Sequence, residues 1–310
     1  MLFDTIFKYD SKGNPFVAAQ PDIAAKMGPE QAYVMSQVEL SNYNEGFHFD
    51  EVDWTLMDRI SMWDKNNNTL GYNTPKHTGS WGYDGQNLLL TLKSEKLSFD
   101  LHMQGGKQVM WAKDRTYNKE GFIQEGLPGN VSFYYSLPRL IVSGNVTYTD
   151  ESGNAKTIEV TGQGWIDRQW GDFLTYAREW ASWRFDKGAR VNMYNFDGHQ
   201  VGTYQNAEGS TQWFDNFIVK QNGYAKTPNG VWFSWGWSYG LPIEIEGSKN
   251  YTVVPYSKND TVHIPPTNFD FYEGAGQLID DRTGKAVGSS IDESMDIRLL
   301  RNGPYDQNQH

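Results

Sequence analysis

The chain has 310 residues, of which 38% are hydrophobic and 15% aromatic, enough to fill a core and to exclude a disordered polymer. Its formal charge of −11 argues against nucleic acid or an anionic membrane surface as a partner. The absence of cysteine excludes disulfides, a thiolate nucleophile and cysteine-ligated zinc.

From the N-terminus, MLFDTIFKYDSKGNPF has no basic region leading into an apolar run, so no signal peptide is read and a cytoplasmic protein is expected. No apolar run approaches the length of a membrane span, so no membrane insertion is expected. Only Asp22–Ala32 has weak helical character. Beyond it the apolar residues recur with period two, as in Leu97, Phe99, Leu101 and Met103, the mark of half-buried strands. The same alternation runs through Ala181, Trp183 and Phe185, through Val231, Phe233, Trp235, Trp237 and Tyr239, and through Ile297 and Leu299. Compact turn signals punctuate it: DSKGN (10–14), YDGQN (83–87), DESGN (150–154), FDGHQ (196–200), TPNG (227–230) and DRTGK (281–285). The sequence therefore predicts an all-β fold of sandwiches or barrels, divided into residues 1–174 and 175–310. Five N-x-S/T sequences, at Asn67, Asn130, Asn145, Asn250 and Asn259, are read as chance occurrences in an Asn- and Thr-rich chain.

Familiar catalytic motifs are missing: there is no G-x-S-x-G, no G-x-x-x-x-G-K-[ST] and no H-E-x-x-H. The histidines are scattered without ligand spacing, so neither a metal nor a cofactor is expected. What stands out is Thr161–Phe185, TGQGWIDRQWGDFLTYAREWASWRF, where Trp165, Trp170, Trp180 and Trp183 surround Asp167, Arg168 and Gln169. Indole walls around a few polar groups describe a small-molecule site, although the same tryptophans could equally fill a β core. A carboxyl buried against indoles is raised in pKa and can carry a proton near neutrality, while ring faces stabilise a cation. Asp167 is thus the candidate acid for protonating an electron-rich C=C bond. Alternation on a strand sends Arg168 to the opposite face. The second candidate stretch is SFYYSLPRL (132–140), in which only one of Tyr134 and Tyr135 can line a given cavity. Glu273 in FYEGAG is a turn or structural carboxylate or a second buried acid, and His77 and Trp81 in PKHTGSWGYDG read as a loop leading into a strand.

The order YYSLPRLIVSGNV (134–146), VTGQGWIDRQWGDF (160–173), WASWRF (180–185) and FYEGAG (271–276) resembles the carotenoid 1,2-hydratase / AttH-like family. Kievitone hydratase and the lipocalin-like fungal decalin-forming Diels–Alderases are similar to that family too. The resemblance spans roughly positions 75–300, and its most specific part is G-x-G-W-x-D-x-x-W-G. It implies two lipocalin-like antiparallel β-domains packed together, with a hydrophobic small-molecule substrate and no cofactor. It also implies acid-catalysed addition of water to an isoprenoid double bond, with Asp167 as the acidic residue, Trp165 beside it and Tyr135 upstream. Carotenoid hydratases tend to carry histidine where this chain has Arg168 and Gln169, so a smaller prenylated or polyene substrate is expected. The candidate set is completed by Asp167, Tyr135 and Arg168 as catalytic groups. Trp81, Tyr134, Trp165, Trp170, Trp180, Trp183, Tyr194, Trp235 and Glu273 are the expected substrate-binding groups. A pericyclase or isomerase, a non-catalytic carrier and an interaction module are the competing expectations.

Overall fold

A computed structural model describes residues 2–7, 33–56, 63–64, 69–84, 87–105, 108–124, 131–172, 177–196, 199–264 and 269–296. The expected helix at Asp22–Ala32, the turn at 10–14, the Ile297–Leu299 alternation and the acceptors Asn67 and Asn130 lie outside the described residues. The first ten strands are β1 (Leu2–Phe7), β2 (Tyr33–Asn42), β3 (Phe47–Leu56), β4 (Trp63–Asp64), β5 (Thr69–Asn73), β6 (Thr78–Tyr83), β7 (Asn87–Lys93), β8 (Leu97–Gly105), β9 (Met110–Trp111) and β10 (Phe122–Gln124). Then come the long strands β11 (Val131–Thr149) and β12 (Ala155–Asp172), followed by β13 (Ala177–Phe185), β14 (Arg190–Phe196), β15 (His199–Gln205), β16 (Thr211–Phe214) and β17 (Ile218–Gln221). The chain closes with β18 (Tyr224–Lys226), β19 (Trp232–Ser234), β20 (Trp237–Ile245), β21 (Ser248–Pro255), β22 (Thr261–Ile264), β23 (Phe269–Asp280) and β24 (Lys285–Asp296).

The fold is all-β: no helix occurs among the described residues, and none there could cross a membrane. The sheets are antiparallel and open rather than closed barrels, in the manner of a lipocalin-like sandwich. Turn chemistry sets the hairpins where it was expected. DESGN joins β11 to β12, TPNG joins β18 to β19 and DRTGK joins β23 to β24. In the first of these, Asp150 Oδ1 accepts from the backbone N–H groups of Ser152 and Asn154 at 3.0 and 2.9 Å, an Asx-type closure.

Two compact units are present. One comprises Met1–Gln108, Leu137–Ile166 and Ile264–Asn268, the other Val109–Ser136, Asp167–His263 and Phe269–His310. They interleave in sequence. The physical reason is strand length: β11 and β12 each run through both units.

In the first unit, Val38 and Phe47 of β2 and β3 pack with Leu92, Leu97, Val146 and Tyr148 of β7, β8 and β11, two layers sharing one core. In the second, one sheet runs β16-β15-β14-β13-β24-β23-β21-β20-β17. Strands β13 and β20 are separated there by three others, yet the rings of Trp183 and Tyr239 lie 4.9 Å apart. Only a strongly curled sheet brings them together. Its concave face holds Trp183, Phe185, Met193, Trp237, Tyr251 and Tyr272, all buried. Its other face carries Trp180, Tyr194 and Phe196, which pack with Tyr134 and Ile123.

Candidate active site

The site is assembled within the second unit from the first residues of β11, the last of β12 and one face of β13 and β14. Burial alternates along β11, so Ser132, Tyr134 and Ser136 turn inward and Phe133 and Tyr135 turn the other way. Strand β12 pairs with β11 and offers Asp167 and Gln169 on the matching side. Ser136 Oγ donates to Asp167 Oδ1 at 2.6 Å, and Gln169 Nε2 donates to Ser132 Oγ at 2.8 Å. On β13 and β14 the register sets Trp180 opposite Tyr194, Ser182 opposite Asn192 and Arg184 opposite Arg190, all on the face that meets Tyr134. Asn192 Nδ2 donates to Tyr134 Oη at 3.0 Å, and the Tyr134 and Tyr194 rings meet edge to face at 5.1 Å.

The electrostatics follow from this packing. Burial pushes the Tyr134 phenol well above its ordinary value, and the charge of Asp167 and the hydrogen bond to it add to the rise. Tyr134 thus keeps its proton and donates it to the carboxyl group. Burial brings the Arg184 guanidinium down to about 10, Arg190 pushes the same way, and the charge of Asp167 offsets part of the fall. Arg184 stays cationic at neutral pH. The result is one half-buried carboxyl bonded by two hydroxyls and within Coulombic reach of a buried guanidinium, one of those hydroxyls belonging to Tyr134, whose ring packs with Tyr194 and Trp180. Such an arrangement can pass a proton and hold a carboxylate against a neighbouring cation.

Asp167, Tyr134, Trp180 and Tyr194 are therefore brought together. Tyr135 and Arg168 are not with them: both take the opposite face, because adjacent residues on a strand diverge. Tyr135 packs at 4.9 Å from Trp111 and edge to face with Trp170, and Arg168 is exposed. Trp170 itself is 50% exposed and stacks on Phe133. Trp183 points into the concave core, away from Trp180. Trp235 packs at the margin of that core, its indole N–H 3.4 Å from the Ser257 carbonyl. Glu273 is buried on β23, paired in register with Glu293, which itself pairs with Trp180. Trp165 and Trp81 belong to the first unit, where Trp81 packs against its cores. His77 is also there, fully buried, with Ser36 Oγ and Glu51 Oε2 at 3.0 and 3.1 Å from its ring nitrogens. Ser136, Asn192, Arg184 and Ser182 are the residues that the sequence reading passed over.

A sequence profile of the AttH-like family matches residues 9–288, which is most of the chain. The chain belongs to the AttH-like family. This AttH-like chain also has the fold of two solved structures. One is a protein of Nitrosomonas europaea described as an AttH, at 16% identity and a TM-score of 0.67, the match covering 85% of this chain and 80% of that one. The other is kievitone hydratase from Nectria haematococca, at 13% identity and a TM-score of 0.55, covering 95% and 88%. At such identities the likeness is one of fold. No curated protein matches the sequence.

Proposed function

We propose that this AttH-like protein is a cofactor-independent hydratase acting on an apolar, prenylated small molecule, with Asp167 as the group that exchanges the proton. In the addition direction the carboxylic proton passes to one alkene carbon, a water oxygen bonds to the other, and the water's surplus proton returns to the carboxylate. Atoms balance with no redox partner. The hydroxyls of Ser136 and Tyr134 and the charge of Arg184 stabilise the carboxylate left by the first transfer, and that carboxylate in turn faces the carbocation. The rings of Trp180 and Tyr194 supply π faces for the same cation.

The observation that carries this reading is the bonding of Asp167 to two hydroxyls, one of them from Tyr134, which packs with Trp180 and Tyr194. A fold shared with kievitone hydratase supports the reaction class. The test is Asp167→Asn, assayed on prenylated phenols for both turnover and binding. Turnover falls about 100-fold or more while ligand affinity is kept. Equal turnover in the two proteins contradicts the assignment, and a product of unchanged mass reassigns the site to cyclisation or isomerisation.

A further inference from the structure

Beside the guanidinium of Arg184, two neutral side-chain donors on the site face have no partner among the described residues. The indole Nε1 of Trp180 and the hydroxyl of Ser182 are both completely buried, and neither has a partner among the described residues. They sit two residues apart on β13, on one face. Trp180 is registered against Tyr194 and Ser182 against Asn192. Their cross-strand neighbours are thus the two residues that touch Tyr134, which in turn bonds Asp167. A buried N–H or O–H left without an acceptor is costly, so proteins rarely keep two side by side. Indole Nε1 can only donate, and the hydroxyl of Ser182 is free to do so. The group that completes this face must therefore bring acceptor lone pairs.

We propose that Trp180 and Ser182 form an oxygen subsite, so that the substrate is an oxygenated prenyl compound whose ether, hydroxyl or carbonyl oxygen accepts from both donors. This rests on the reading of the Asp167 face as the ligand site and narrows its substrate class. A pure hydrocarbon polyene leaves both donors bare. An oxygen on the substrate anchors one end and sets which alkene carbon stands over Asp167. Specificity built this way rejects the analogue that lacks the oxygen more strongly than an apolar wall rejects a missing methylene.

The experiment measures binding, separately from turnover, of 2-prenylphenol, 2-prenylanisole and prenylbenzene to the intact protein. The three probes differ in the oxygen alone. Wild-type protein should bind the phenol and the anisole about tenfold or more tighter than prenylbenzene, since both oxygens accept. Trp180→Phe keeps the ring and loses the N–H, and Ser182→Ala loses the hydroxyl. Each should weaken the two oxygenated probes about tenfold and leave prenylbenzene unchanged. Folding of the variants is checked by circular dichroism, and Ser182→Ala, the smaller change, serves if Trp180→Phe does not fold. Binding of all three probes with equal affinity overturns the subsite. So does failure of any probe to bind, or variants that lose stability without losing discrimination, which would mark the two donors as satisfied by buried water. Oxygen-selective binding without turnover keeps the subsite and sinks the hydratase reading, so the two failures are distinct.

Discussion

Replacing Asp292 by Asn should stabilise the protein, and by more as the pH rises. Asp292 sits on β24 against β13 and β23, opposite Ala181 and Gly274. It is fully enclosed: Ser290 Oγ donates to its Oδ2 at 2.6 Å, while Oδ1 has no partner among the described residues. Burial raises its pKa from 3.8 to about 8; the Ser290 hydrogen bond opposes the rise and the charge of Glu179 adds to it. Glu179 is itself held by Asn195, Gln221, Ser234 and the Trp237 indole. Folded Asp292 therefore keeps a proton that the unfolded chain releases near pH 4. Below that pH the group costs nothing. Between pH 4 and 8 the unfolded state gains about 1.4 kcal/mol per pH unit from this residue, and above 8 the penalty is constant. Asn is nearly isosteric, accepts from Ser290 and never ionises. Urea midpoints of wild type and Asp292→Asn, taken from pH 5 to pH 9, isolate the effect as a difference and cancel the other carboxylates. The variant's advantage should grow by a few kcal/mol up to pH 8 and then level off. A difference independent of pH, or a growing deficit, refutes the assignment of a neutral buried carboxyl.

Asp114 has the opposite linkage. Burial opposes its ionisation, but His199, 3.3 Å away, and the backbone N–H groups of Tyr117 and Gln124 lower its pKa overall. Its contribution is present above about pH 4 and lost below it. Asp114→Ala should cost about 2 kcal/mol at pH 7 in urea unfolding and much less at pH 3. Gly171 has φ +146°, and a Cβ there would press on the Val131 carbonyl, so Gly171→Ala should cost about 2 kcal/mol or more by the same assay. Trp183→Ala should lower stability by about 3–5 kcal/mol, since Trp183 is completely buried in the concave core. Tyr134→Phe keeps the ring but breaks the link from Asn192 to Asp167. It should slow turnover about tenfold and cost about 1 kcal/mol of stability, read by initial rates and urea midpoints together.

The strands were legible because period two is local. Leu97–Met103 lies within β8; Val231, Phe233, Trp237 and Tyr239 are buried as the alternation predicts, but Trp235 is half-buried between buried Ser234 and Gly236, so the alternation fails where the strand breaks. That break, between β19 and β20, falls at Gly236, whose φ of +76° turns the chain and interrupts the pattern of burial on either side of Trp235. Faces were harder. Alternation already separates Tyr134 from Tyr135 and Trp180 from Trp183, but it does not say which face meets Asp167. It also groups Trp180, Ser182 and Arg184 on one side of WASWRF, with Trp183 on the other. Asn192 was out of reach because Arg190–Phe196 is buried on both faces, so its pattern carries no period. Its pairing with Ser182 depends on the hairpin register after Phe185, which is a long-range fact. Continuous strands such as β11 and β12, which run through both units, leave no linker in the composition.

The most direct test of the central claim is incubation of the purified protein with 2-prenylphenol in oxygen-labelled water, without added cofactor or metal, beside Asp167→Asn. Products are read by mass spectrometry. Gain of one water carrying the label, formed by wild type and nearly absent with the variant, is the predicted result. A labelled product formed equally by both proteins, or a product of unchanged mass, contradicts proton exchange by Asp167 in a hydration.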